Sequence, residues 1–242
     1  MTAAETLTTG EYLVVCADAS RTFGSGRSAV VAVHGTTCEV SPGARIAIAG
    51  PSGSGKSTLL HLMAGLEIPT RGNVSWPSFS TTAAETAHDV AIARAKNIGV
   101  VFQSPSLVPA LDVAENTGLP LILTGVSNME CRERVAEALE LVGVSDLAGK
   151  LPEELSGGQA QRVAVARVLA QRPRLVLADE PTGQLDRATG QHLVDVLLAA
   201  TARIGAALVV STHDPAVAER LDTLWTMHEG RLRTSTTPAV PS

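Results

Sequence analysis

The densest chemistry in the chain lies in residues 50–58, which read GPSGSGKST and match G-x-x-x-x-G-K-[ST]. Gly50, Gly53 and Gly55 leave backbone N–H groups open to phosphate oxygens, with Pro51, Ser52 and Ser54 between them. A helix beginning at the lysine adds the positive end of its dipole. Lys56 can then neutralise β/γ-phosphate charge, the Ser57 hydroxyl can bind Mg2+, and Thr58 closes the motif. A glycine-rich turn with an incidental lysine is the alternative, but an apolar strand before the loop and a helical pattern after it favour a nucleotide site.

Two further segments carry chemistry. Residues 175–180 (LVLADE) are four apolar residues followed by two carboxylates. A buried strand ending in Asp179 suits a metal held directly or through water, and Glu180 is placed to orient and deprotonate an attacking water. Two solvated acids at a strand end are the plain alternative. Residues 155–159 (LSGGQ) precede AQRVAVARVLAQR. Ser156 and Gln159 make a capping box, but that leaves Gly157 and Gly158 unexplained, each costing roughly 0.8–1 kcal/mol against alanine in a helix. Bare backbone at a helix start is what an anion needs, so the chain has two phosphate-seeking loops.

Positioning these loops calls for an α/β architecture. Apolar runs at 45–49, 98–102, 175–178 and 207–211 read as buried parallel strands. Leu59, Leu60, Met63 and Leu66 share one helical face after the lysine. Ser127 and Glu130 open a helix with Val135, Ala138, Leu139 and Val142 inward, ending near Gly143. Leu193, Val196, Leu197 and Ala200 mark another helix ending before Gly205. Residues 13–19, 29–33 and 36–40 read as short strands, and 224–233 as a hairpin around Glu229 and Gly230. These strands are expected to form a small antiparallel sheet beside the core. Residues 78–88 read as a surface loop and 235–242 as a loose tail.

Composition narrows the class. The 242 residues include 19 Lys and Arg against 24 Asp and Glu, a net charge of −5, with 45% hydrophobic and 18% charged residues. This is globular, with no basic excess to attract nucleic acid. No apolar run reaches membrane-spanning length and no secretory signal opens the chain, so a soluble cytoplasmic protein is expected. Cys16, Cys38 and Cys131 are far apart in sequence and odd in number, which argues against a metal site or disulfide framework.

Taken together and in this order, GPSGSGKST, LSGGQ and LVLADE resemble the nucleotide-binding subunit of ATP-binding cassette (ABC) transporters, over roughly residues 10–235. The resemblance implies a P-loop NTPase core with a mostly parallel sheet, an N-terminal antiparallel β subdomain and an inserted α-helical subdomain. It divides a single domain into an antiparallel region (about 10–49 with 223–234), an ATPase core (44–103 and 173–222) and a helical subdomain (about 104–172). It also implies ATP and Mg2+, a head-to-tail dimer in which Ser156, Gly157, Gly158 and Gln159 close on the partner copy's ATP, and an integral-membrane permease as partner. That partner would hold the chain at the inner face of the cell membrane.

Further residues match family motifs. Gln103 (VVFQS) corresponds to a glutamine that contacts metal and attacking water, joining Ser57 and Asp179 as the Mg2+ set. His213 (STHDP) corresponds to a switch histidine on the γ-phosphate. Asp186 (TGQLD) corresponds to an aspartate that communicates across the dimer, though a helix N-cap explains it equally well. Phe23 (RTFGSG) stands where an aromatic stacks on adenine, with core packing as the alternative. Residues 102–127 are similar to the macrolide-exporter, lipoprotein-releasing and cell-division subfamily through Glu115, Asn116, Leu119, Pro120 and Leu121. Asp112 and Thr117 depart from that pattern. Leu107, Val108 and Leu111 either form a groove for the partner or pack within the subdomain. The expected function is an ATPase powering a separate permease. The alternative is a nucleotide-dependent switch that signals through a membrane partner. A DNA-repair ATPase is excluded because no heptads lie between the two loops.

Overall fold

The computed structural model describes residues 12–79 and 87–234. Among the described residues nine strands run in chain order: β1 (Val14–Phe23), β2 (Val30–Val40), β3 (Arg45–Ala49), β4 (Arg71–Ser75), β5 (Ile98–Val101), β6 (Leu175–Asp179), β7 (Ala207–Thr212), β8 (Thr223–His228) and β9 (Arg231–Thr234). The helices are α1 (Lys56–Ala64), α2 (Ala87–Asn97), α3 (Val113–Leu123), α4 (Asn128–Leu141), α5 (Gly157–Leu169), α6 (Arg187–Ile204) and α7 (Pro215–Ala218).

The main sheet has the order β5-β6-β7-β3-β8-β9 and is parallel except for β9. Every residue of β6 and β7 is buried, as continuous apolar runs in the middle of a parallel sheet require. Alternation splits the core in two. Val176, Ala178, Leu208 and Val210 face the cluster that includes α5 and α6, while Leu175, Leu177, Ala207 and Val209 face α1 and the second sheet. That second sheet is antiparallel, with the order β2-β1-β4. Helices α3, α4 and α5 fill the stretch between β5 and β6, as the helical subdomain expected there requires.

Local chemistry explains the helix ends. Ser127 caps α4 by accepting from the Glu130 N–H at 3.3 Å, and Val135, Ala138, Leu139 and Val142 are buried. Helix α6 ends at Gly205, which takes φ +69°.

Several expectations need correction. The C-terminal hairpin does not join the N-terminal strands. β8 pairs in parallel with β3, β9 extends the main sheet, and β4 supplies the third antiparallel strand. The hairpin turn still bridges the two sheets, since Gly230 O accepts from the His34 N–H at 2.8 Å. Residues 29–33 and 36–40 form one strand, β2, not two. Leu66 is exposed because α1 stops at Ala64, with Gly65 at φ +63°. The loop assigned to 78–88 gives way to α2 from residue 87, while 80–86 lie outside the described residues, as does the tail 235–242. Cys16 and Cys38, distant in sequence, are cross-strand partners of β1 and β2 and buried. They are free thiols, and the Cys16 thiol together with burial pushes the Cys38 pKa far up. Among the described residues no helix is long and apolar enough to cross a membrane.

Candidate functional site

Four strand ends supply the site, along the carboxyl edge of the main sheet where open α/β sheets hold ligands. From β3 the chain enters the glycine-rich loop and then α1. Gly50 is required by contact, because a Cβ there would lie 2.1 Å from Met227 O. Gly55 combines φ +101° with a backbone approach that would put its Cβ 2.2 Å from Ala32 O. The hairpin turn closes over the loop, with the Gly230 N–H donating to Ser54 O at 2.9 Å. The result is a cleft of about 280 Å3 lined by Ala32, Ser52, Gly53, Ser54, Gly55, Lys56, Ser57, Thr58, Gln103 and Glu180. Pro51 lines a neighbouring, more apolar hollow instead.

Lys56 is buried at 4% exposure. Its Nζ donates to Gly50 O at 2.9 Å and Pro51 O at 3.0 Å and lies 3.2 Å from Glu180 Oε1. Glu180 Oε2 lies 3.0 Å from His213 Nδ1. One carboxylate therefore joins the lysine of the loop to the histidine after β7. Glu180 also has φ +42°, a left-handed backbone uncommon outside glycine, held by hydrogen bonds from its N–H to Ser211 O (3.1 Å) and Ser211 Oγ (3.0 Å).

Asp179 ends β6 with its Oδ1 accepting from Ser57 Oγ at 2.9 Å and Ser211 Oγ at 2.6 Å. The hydroxyl of Ser57, the Asp179 carboxylate and the amide oxygen of exposed Gln103 would together offer an all-oxygen donor set. Such a set fits a hard dication such as Mg2+. A Cβ on Gly183 would lie 3.0 Å from Gln103 Nε2 and 3.6 Å from Glu180 Oε2, so Gln103 and Glu180 flank the same glycine. The loop around Gln103 is tied down from α5. Gln161 Nε2 donates to Phe102 O at 2.9 Å, and the Arg167 guanidinium donates to Pro105 O and Ser106 O at 2.9 and 3.0 Å.

The LSGGQ residues do not reach this cleft within one chain. Ser156 caps α5, accepting from the Gln159 N–H at 3.3 Å, while Gln159 Oε1 accepts from the Ser156 N–H at 2.9 Å. The two glycines part company here. A Cβ on Gly158 would meet Thr189 Cγ2 at 2.4 Å, so packing against α6 explains it. Gly157 has only Leu185 Cδ2 at 3.8 Å and stays open. Gly158 thus has a structural cause, while packing gives no reason for Gly157.

Asp186 caps α6 by accepting from the Thr189 N–H at 3.0 Å and the Thr189 hydroxyl at 2.6 Å, which holds its carboxyl below the usual range. Phe23 is 39% exposed and outside the core, with the Arg21 guanidinium 4.7 Å above its ring. Leu107 packs against the main core while Val108 stays exposed. Sequence reasoning missed Ser211, Gln161 and Arg167. The available signal for Ser211 was a hydroxyl residue, with Thr212 after it, closing an otherwise apolar run.

Comparison with known proteins gives a consistent result. The ABC transporter family model matches residues 33–183. An uncharacterised ABC transporter ATP-binding protein of Mycobacterium tuberculosis is 42% identical over 91% of this chain and 88% of its own length. The lipoprotein-releasing system ATP-binding protein LolD of Legionella pneumophila is 41% identical over 88% of this chain and 93% of its own. The ATP-binding cassette MJ0796, solved as a dimer in a post-hydrolysis state with ADP and Pi, superposes with TM-score 0.80. It is 34% identical and covers 91% of this chain and 98% of its own.

Proposed function

The chain belongs to the ABC transporter family as an ATP-binding subunit, and from that premise we propose that it hydrolyses ATP to power a separately encoded membrane permease. The observation that carries this reading is the chain of contacts Lys56–Glu180–His213 beside Ser57–Asp179. Lys56 and the N–H groups of the loop bind the β/γ-phosphates of ATP. Glu180 accepts the proton of the attacking water, and Gln103 and His213 orient that water and the γ-phosphate. Ser57, Asp179 and Gln103 would hold Mg2+, which would supply charge neutralisation at the phosphates when bound.

A phosphate at Lys56 competes with Glu180 for the ammonium, which leaves the carboxylate available to water. Ser156, Gly157, Gly158 and Gln159 act on the ATP of a second copy in a head-to-tail dimer, with Asp186 at the dimer contact and Phe23 against adenine. The separation of LSGGQ from the cleft of its own chain supports this arrangement, as does the dimeric state of MJ0796. The permease places the subunit at the inner face of the membrane. The lipoprotein-releasing name of the LolD relatives supports a membrane partner.

Light scattering on Glu180→Gln tests the dimer. ATP is expected to convert it from monomer to dimer, and Gly157→Trp is expected to prevent this. A Glu180→Gln chain that binds ATP and stays monomeric would refute the composite site.

A further inference from the structure

Ser211 is fully buried in β7, between the strand that carries the glycine-rich loop and the strand that ends in Asp179. It pairs in register with Asp179 on one side and Ile48 on the other. Its neighbours Val209 and Val210 show that burial here asks only for an apolar side chain, so the hydroxyl needs another reason.

The hydroxyl has two partners, and both belong to the site. It donates to Asp179 Oδ1 at 2.6 Å, the short distance of a charge-assisted bond, and accepts from the Glu180 N–H at 3.0 Å. Asp179 Oδ1 thus receives two hydroxyl donors, Ser57 from the loop and Ser211 from β7. Glu180 is held twice from β7, at its backbone by Ser211 and at its carboxylate by His213 two residues further on. The backbone hold matters because φ +42° is a conformation glutamate rarely adopts unaided.

We propose that Ser211 is a positioning residue for hydrolysis. Its one buried hydroxyl fixes the rotation of the Asp179 carboxylate and adds a second acceptor for the Glu180 N–H, which Ser211 O also holds, so that the metal-binding and water-activating groups are set by the same strand end. This rests on the roles proposed above for Asp179 and Glu180. Ser211 is fully buried and acts only through these two residues.

The test is ATP binding by calorimetry, with Mg2+ and with EDTA, together with steady-state turnover. For Ser211→Ala and Ser211→Val we expect metal-free ATP affinity to be retained. The Mg2+-dependent gain in affinity should fall about 10-fold and kcat about 10- to 100-fold, as expected for loss of bonds to charged and strained groups. Ser211→Thr keeps the hydroxyl and is expected to restore most of both. Wild-type Mg2+ dependence and kcat in Ser211→Ala would overturn the proposal, and so would equal losses with and without Mg2+. A wild-type chain that fails to bind ATP at all would overturn the nucleotide reading on which the proposal rests.

Discussion

Asn116 offers a sharp test of how the segment after Gln103 is held. Its side chain is fully buried, and Nδ2 donates to Val108 O (3.1 Å), Leu111 O (2.8 Å) and Asp112 O (3.0 Å). Oδ1 accepts from the Val108 N–H at 2.7 Å. Not all of these bonds count equally when Asn116→Ala removes them. Asp112 O keeps the Asn116 N–H at 2.8 Å, and Val108 O keeps the Leu111 N–H at 3.1 Å. Among the described residues, only the Val108 N–H and Leu111 O lose every protein partner, and both belong to residues that water can reach in part. At roughly 1 kcal/mol for each of these, plus about 1 kcal/mol for the void, the loss should be ~2–4 kcal/mol. Asn116→Asp should be worse than alanine, because a carboxylate would face three carbonyl oxygens with no donor between them. Urea unfolding measures the loss, and native hydrogen exchange at the Val108 amide locates it. A loss under about 1 kcal/mol, or an aspartate variant as stable as wild type, would refute the reasoning.

Three other outcomes follow from contacts described above. Gly158→Ala drives a methyl to 2.4 Å from Thr189 Cγ2 and should cost ~1–3 kcal/mol in thermal or urea unfolding, whereas Gly157→Ala meets open space and should be neutral or slightly stabilising. Equal effects at the two glycines would contradict the packing assigned to Gly158. Cys38 is held protonated by the Cys16 thiol and by burial, so labelling by an aromatic disulfide reagent at pH 8 should be at least about 100-fold slower in the native chain than in denaturant. The Asp186 carboxyl is lowered by Thr189, so its contribution to folding is complete above the ordinary aspartate pKa and lost as pH falls through the lower folded value. NMR titration should therefore find it still ionised where a free aspartate is half protonated, and Thr189→Val should raise it.

Much of this arrangement was legible because periodicity and local chemistry agree with the tertiary structure. The glycine-rich loop sits between β3 and α1, and β6 and β7 are buried on both faces as their apolar runs require. What escaped depends on pairing that a linear pattern does not contain. β8 has alternating burial, which suits an antiparallel hairpin, yet one neighbour, β3, recruits it in parallel. Cys16 and Cys38 meet only once the register of β1 and β2 is set. Helix α2 is short and Ala-rich, with mixed polarity and no continuous apolar stripe to announce it. Ser211 looked ordinary, and Gly158 read as an anion contact, because their partners, Asp179 and Thr189, arrive from other elements.

The most direct check on the assigned chemistry is ATP turnover by Glu180→Gln beside the wild-type chain, with nucleotide affinity measured on the same preparations. The carboxylate lies 3.2 Å from Lys56 Nζ and 3.0 Å from His213 Nδ1, and the amide keeps its shape while losing its basicity. We expect ATP affinity to be retained and hydrolysis to fall about 10²–10⁴-fold, or ~2.7–5.5 kcal/mol of barrier. Wild-type turnover in Glu180→Gln would contradict the role of Glu180 as the base.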